Sequence, residues 1–140
     1  MIVFSTKGRE KLIHADWEER LYKYITGIVQ TKQQKMLAIN GMPDHIHFLI
    51  GMKPTCTISD LVREVKKSSN DFIKDEKLSK FQFNWQKGFG AFSYGHSQLD
   101  MIIKYIMNQK THHRKMTFEE EYITFLKNFN VDYDELYVFD

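Results

Sequence analysis

His45 and His47 stand one isoleucine apart inside the run "HIHFLIGM", residues 45–52. In an extended strand, side chains two apart project from the same face. Both imidazoles therefore point one way and Ile46 the other. Neutral imidazole is a common ligand of divalent metals, so the pair can converge on one cation. The pattern also suits two partly buried histidines bonded to neighbours, and two ligands do not complete a metal site. The segment "YIMNQ" offers a second pair: Tyr105 and Gln109, four apart and so one helical turn from each other on one face. Both fall beside the apolar stripe of their helix, at its boundary. A boundary tyrosine with an exposed glutamine is the other reading of that spacing.

The elements that must position these residues follow from periodicity. "MIVFS" (1–5) reads as a short strand. Trp17, Leu21, Tyr24, Ile25 and Ile28 recur at helical spacing, which predicts a helix over about 16–30. "KMLAINGMP" (35–43) and the histidine run (45–52) read as a hairpin, turned at "GMPD". Thr57-Ile58-Ser59-Asp60, Ser97-Gln98-Leu99-Asp100 and Thr117-Phe118-Glu119-Glu120 each set a hydroxyl three residues before a carboxylate. That is a helix-start signature, predicting helices over about 58–76, 98–112 and 118–128. In the 98–112 helix, Leu99, Ile102, Ile103, Ile106 and Met107 are expected to face inward. The segment "FQFNWQKGFGAFSYG" (81–95) reads as a loop and a last strand near 91–94. Strand, helix, strand, strand, helix, strand is the order of an α+β, ferredoxin-like unit: an antiparallel sheet with two helices on one face. Two C-terminal helices are added, and the 140 residues suit a single domain.

Composition narrows the class. Cys56 is alone, which excludes an internal disulfide framework and a multi-cysteine zinc site, and fits a reducing cytoplasm. No apolar run of about 18 residues exists to span a membrane, and no signal-peptide pattern is expected. The net charge of +2 hides an asymmetry: residues 116–140 carry seven acids and one base, against 19 bases and 11 acids in residues 1–115. A basic body with an acidic tail fits a polyanionic partner, and also a solvated surface of mixed charge.

Three segments in order, "GMPDHIHFLI", "FNWQKGFGAFS" and "YIMNQKTHHRKMTFEEEY", carry a resemblance. Together they resemble the single-tyrosine HUH transposases of bacterial insertion sequences, including the REP-associated branch. The histidine–hydrophobic–histidine triplet names that superfamily, and the likeness spans about residues 4–140. The resemblance implies that His45 and His47 bind metal, that Tyr105 is the nucleophile, and that Gln109 is a third metal ligand. The metal implied is Mg²⁺ or Mn²⁺. The implied substrate is single-stranded DNA with hairpin ends, cleaved through a 5′-phosphotyrosine. A homodimer is also implied, in which one subunit's tyrosine helix can complete its partner's histidine site.

A DNA-binding surface would draw on Arg63, Lys66 and Lys67 in the second long helix, and on Lys104, Lys110, Arg114 and Lys115 in and after the third. Trp85, Phe89 and Phe92 either pack their loop onto the body or stack on unpaired bases. A phenol titrates near pH 10, so some group must take its proton during attack. The sequence names none: His112 and His113 stand about two turns away and suit a helix C-terminus. Three other readings share parts of this pattern. A passive ferredoxin-like nucleic-acid-binding module needs neither the histidines nor the tyrosine. A water-using metal phosphoesterase needs the metal alone. A relaxase or replication-initiation nuclease shares the triplet in a longer chain.

Overall fold

Strand β1 (Ile2–Ser5) is buried along its whole length, because it lies inside a four-stranded antiparallel sheet of order β2-β3-β1-β4. The structure, a computed structural model, describes residues 1–112 and 117–128, with His112 described for its backbone alone. His113, Arg114, Lys115 and the acidic end "NVDYDELYVFD" lie outside the described residues. The other elements are α1 (Glu18–Thr31), β2 (Lys35–Met42), β3 (His45–Gly51), α2 (Ile58–Asp75), β4 (Gly90–Ala91), α3 (Leu99–Met107), α4 (Gln109–His112) and α5 (Phe118–Asn128). Each half of the sheet is a split β-α-β unit: β3 lies between β1 and β2, and β1 lies between β3 and β4. This is the ferredoxin-like α+β arrangement expected from element order.

The sheet has a core on each face. On one, Ile2, Phe4, Ile46 and Phe48 meet the apolar stripes of α1 (Leu21, Ile25, Val29) and α2 (Leu61, Val65, Ile73). On the other, Val3, Ala38 and Leu49 meet α3 (Ile102, Ile106) and α5 (Phe118, Leu126). Strand alternation decides this partition. Ile46 and Phe48 face the first core, so His45 and His47 face the second, beneath the C-terminal helices. β3 pairs β1 with His47 opposite Val3 and His45 opposite Ser5, and pairs β2 with His47 opposite Asn40.

Two of the three helix-start signatures act as caps. Thr57 Oγ1 accepts from the Asp60 amide at 3.0 Å. At α5, Thr117 Oγ1 accepts from the Glu120 amide at 3.2 Å while Glu120 Oε1 accepts from the Thr117 amide at 3.4 Å, a reciprocal capping box. Ser97 does not cap α3. Gln98 does the work there, its Oε1 accepting the Gly95 amide at 2.8 Å ahead of a 3-10 turn at His96–Gln98.

The expected 98–112 helix is broken at Asn108, which divides α3 from α4. Met107, expected inward, is therefore 55% exposed. Its carbonyl accepts Asn40 Nδ2 of β2 at 3.1 Å. The last strand is shorter and earlier than expected, two residues at Gly90–Ala91. Trp85 and Phe92 are buried, and Trp85 Nε1 donates to Ser69 Oγ at 3.0 Å, so the aromatic loop packs onto the body. Two glycines allow close approaches. A Cβ on Gly41 would collide with the His45 carbonyl across the hairpin. One on Gly90 would stand 2.6 Å from the Tyr122 ring of α5.

Candidate active site

The centre of the site is a strand surface. β3 presents His45 and His47, each 0% exposed, with ring centroids 5.1 Å apart. Asp44, in the hairpin turn, holds His45 Nδ1 at 2.6 Å from its Oδ1. A carboxylate there fixes Nδ1 as the protonated nitrogen, the tautomer in which Nε2 carries the lone pair. From α3, Tyr105 brings its ring to 6.0 Å from that of His47. From the start of α4, Gln109 is 0% exposed, with Nε2 3.5 Å from the Tyr105 carbonyl. The sequence expectation that Tyr105 and Gln109 share one face survives the break at Asn108, because they flank it. All four residues therefore converge within one chain.

The structure adds a residue that the sequence reading passed over. Glu121 of α5 is 2% exposed and places Oε1 2.7 Å from His47 Nε2. His45, His47 and Glu121 each offer a ligand atom, and these atoms all lie within 4.8 Å of one another. Phe118 stands over His45 with ring centroids 4.5 Å apart. Phe125 covers His47 and Tyr105 at 6.2 and 5.7 Å. The signal for Glu121 was available: Phe118, Glu121, Tyr122 and Phe125 fall at i, i+3, i+4 and i+7, so the acid sits on the apolar stripe. It was hidden in a run of three glutamates that reads as a solvated helix start.

These surroundings dictate the electrostatics. Burial first, and then the Glu121 carboxylate, push the Tyr105 phenol far above its ordinary range; a hydrogen bond from Gln109 acts the other way. The Tyr105 hydroxyl oxygen itself is buried. Tyr94 is pushed up by burial and by Glu121 as well.

The donors fit a divalent cation by their own chemistry. Two imidazoles, a carboxylate and an amide oxygen are the set that first-row divalent metals take. Gln109 Oε1 is buried and has no hydrogen-bond partner among the described residues. A buried carbonyl oxygen left in that state is costly unless something accepts its lone pairs.

The family model described as "Transposase IS200 like" matches residues 1–109. The chain belongs to this family of IS200-like transposases. The matched span includes His45, His47, Tyr105 and Gln109, while Glu121 lies beyond it. Among solved structures, the transposase resembles a protein described as a candidate transposase from Deinococcus radiodurans R1. That pair has 21% identity and a TM-score of 0.60 over 77% of this chain and 87% of that one. It also resembles a REP-associated tyrosine transposase whose structure was determined bound to a REP hairpin. Here identity is 16% and TM-score 0.62, over 80% of this chain and 66% of that one. At these identities the likeness is one of fold. No curated protein matches the chain.

The residues expected to contact DNA occupy different settings in the transposase. Lys67 and Lys104 are exposed. Arg63 Nη1 pairs with Asp60 at 3.1 Å, still at the surface. Lys66 is committed to the fold: its Nζ donates to the carbonyls of Gln86 (2.8 Å) and Gly88 (2.7 Å) and lies 5.0 Å from the Phe4 ring centre. Lys110 Nζ donates to the Gly41 carbonyl at 2.7 Å and pairs with Glu18 at 3.0 Å, which ties α4 to the hairpin and to α1. Arg114 and Lys115 lie outside the described residues. No helix among the described residues is long and apolar enough to cross a membrane.

Proposed function

We propose that this transposase cleaves and rejoins single-stranded DNA through a covalent link to Tyr105, at a site that takes Mg²⁺ or Mn²⁺ on His45, His47 and Gln109. The observation that carries the reading is the convergence, in one buried pocket, of a strand-borne imidazole pair with a helix-borne phenol and carboxamide. The bound cation would polarise the scissile phosphate and offset its developing charge. Tyr105 Oη attacks phosphorus and gives up its proton, the bond from phosphorus to the 3′-oxygen breaks, that oxygen takes up a proton and leaves as a 3′-hydroxyl, and the 5′ end stays on the tyrosine. The phosphotyrosine keeps the ester bond intact for a second 3′-hydroxyl, so strands rejoin without ATP. The Phe118 and Phe125 rings screen the site from water, which protects that ester from hydrolysis. Asp44 orients His45 throughout.

The substrate proposed is DNA with hairpin ends, as the hairpin-bound relative supports. Exposed Lys67 and Lys104, with Arg63, would meet its phosphates. The protein is proposed to act in the cytoplasm as a homodimer and as one domain over residues 1–140. The convergence within one chain supports a site that needs no exchange of the tyrosine helix between subunits.

The test is direct. The protein is incubated with Mn²⁺ and single-stranded DNA bearing a hairpin end, and resolved on a denaturing gel. A protein–DNA adduct is expected, absent in Tyr105→Phe and in His47→Ala. Cleavage that persists in Tyr105→Phe would assign the site to a water-using nuclease. Binding without cleavage in any divalent metal would leave a passive module.

A further inference from the structure

We infer that Glu121 is itself a ligand of the divalent cation, and that the cation thereby fastens α5 onto the sheet. The inference rests on the reading of His45 and His47 as metal ligands. It adds a fourth ligand, from a helix outside the family-matched span, and a mechanical consequence.

Charge supplies the first argument. Two neutral imidazoles and a carboxamide bring no negative charge to a divalent ion. Glu121 brings one, and completes two histidines and a carboxylate, a recurrent set for first-row divalent metals. Distance supplies the second. Donors about 2.1 Å from one ion stand about 3 Å apart. The His47–Glu121 pair is at 2.7 Å, and the three-residue set spans at most 4.8 Å. Small side-chain movements therefore bring all three onto one ion. Cost supplies the third. A carboxylate 2% exposed on the apolar stripe of α5, between Phe118 and Phe125, is expensive unless fully compensated. The His47 imidazole and the Tyr105 hydroxyl compensate it in part; a cation shared with both histidines does so more completely. Gln109 Oε1 is buried as well, on a side chain that reaches Tyr105.

The consequence concerns α5. Glu121 ties it to His47 of the sheet and Glu119 pairs with Arg9 at 2.7 Å, beside aromatic and aliphatic packing. With the cation bound, strand and helix share an ion, so metal binding and seating of α5 become one equilibrium.

The experiment titrates the full chain, without DNA, with MnCl₂ by calorimetry. Hydrogen exchange is then measured with and without Mn²⁺. Glu121→Gln, close in shape, is expected to weaken Mn²⁺ binding by roughly tenfold to a hundredfold. In the wild-type chain, Mn²⁺ is expected to slow exchange of the α5 amides, residues 118–128, and Glu121→Gln is expected to lose that protection. Wild-type affinity in a folded Glu121→Gln overturns the inference. So does Mn²⁺ protection confined to β3 and α4, a readout that decides even if the variant fails to fold. His47→Ala separates the two readings. If it abolishes Mn²⁺ binding while Glu121→Gln does not, the metal site stands and the role of Glu121 falls. If His47→Ala binds Mn²⁺ like the wild type, both fall.

Discussion

Asp44 acts on the site through His45. Its carboxylate, 2.6 Å from Nδ1, fixes the ring's tautomer and orientation. Asp44→Ala should weaken Mn²⁺ affinity by roughly tenfold to a hundredfold with little change in the fold, measurable by calorimetry beside circular dichroism. The histidines themselves were legible in the sequence, because a two-residue period on a strand leaves them only one shared face. Tyr105 and Gln109 were legible from their four-residue spacing and from the family resemblance. Glu121 was passed over, because two neighbouring acids disguised the one that falls on the apolar stripe. The settings of Lys66 and Lys110, both candidates for DNA, were not legible for a related reason. A sequence shows that a lysine is present, and not whether its ammonium is already spent on backbone carbonyls.

Among the elements, α5 matters most to the site, and its first turn is where it can be loosened without touching the chemistry. Thr117→Ala removes the hydroxyl that accepts the Glu120 amide. The loss should be about 1 kcal/mol of helix stability, seen as faster hydrogen exchange confined to α5. The caps at Thr57 and Thr117 were readable because they are local chemistry. The box at Ser97 failed because Gln98, one residue on, reached the Gly95 amide instead. The break at Asn108 had no proline or glycine to announce it. There α3 ends and α4 begins, tied by Lys110 to Gly41 and Glu18, contacts far apart in sequence.

Across the whole molecule, strand alternation divides labour between the two faces. Phe4 and Phe48 build a core with α1 and α2, while the opposite face carries the candidate site. Phe48→Ala should therefore cost about 3–5 kcal/mol, a large drop in thermal midpoint. Tyr105→Phe should leave that midpoint nearly unchanged. The fold was legible because element order and apolar periods agree with it. That α5 would pack on the histidine face was not, since nothing in a helix's own sequence says which side of a sheet it will cover. The seat of α5 has a far-reaching corollary at Gly90. The strand's missing side chain leaves the hollow into which Tyr122 fits, next in sequence to Glu121. Gly90→Ala should wedge the tyrosine outward and drag its acidic neighbour off the imidazoles, lowering Mn²⁺ affinity, whereas Gly88→Ala, with open space around it, should not. One methyl group on the rim of the sheet would then act as a remote dial on metal capture.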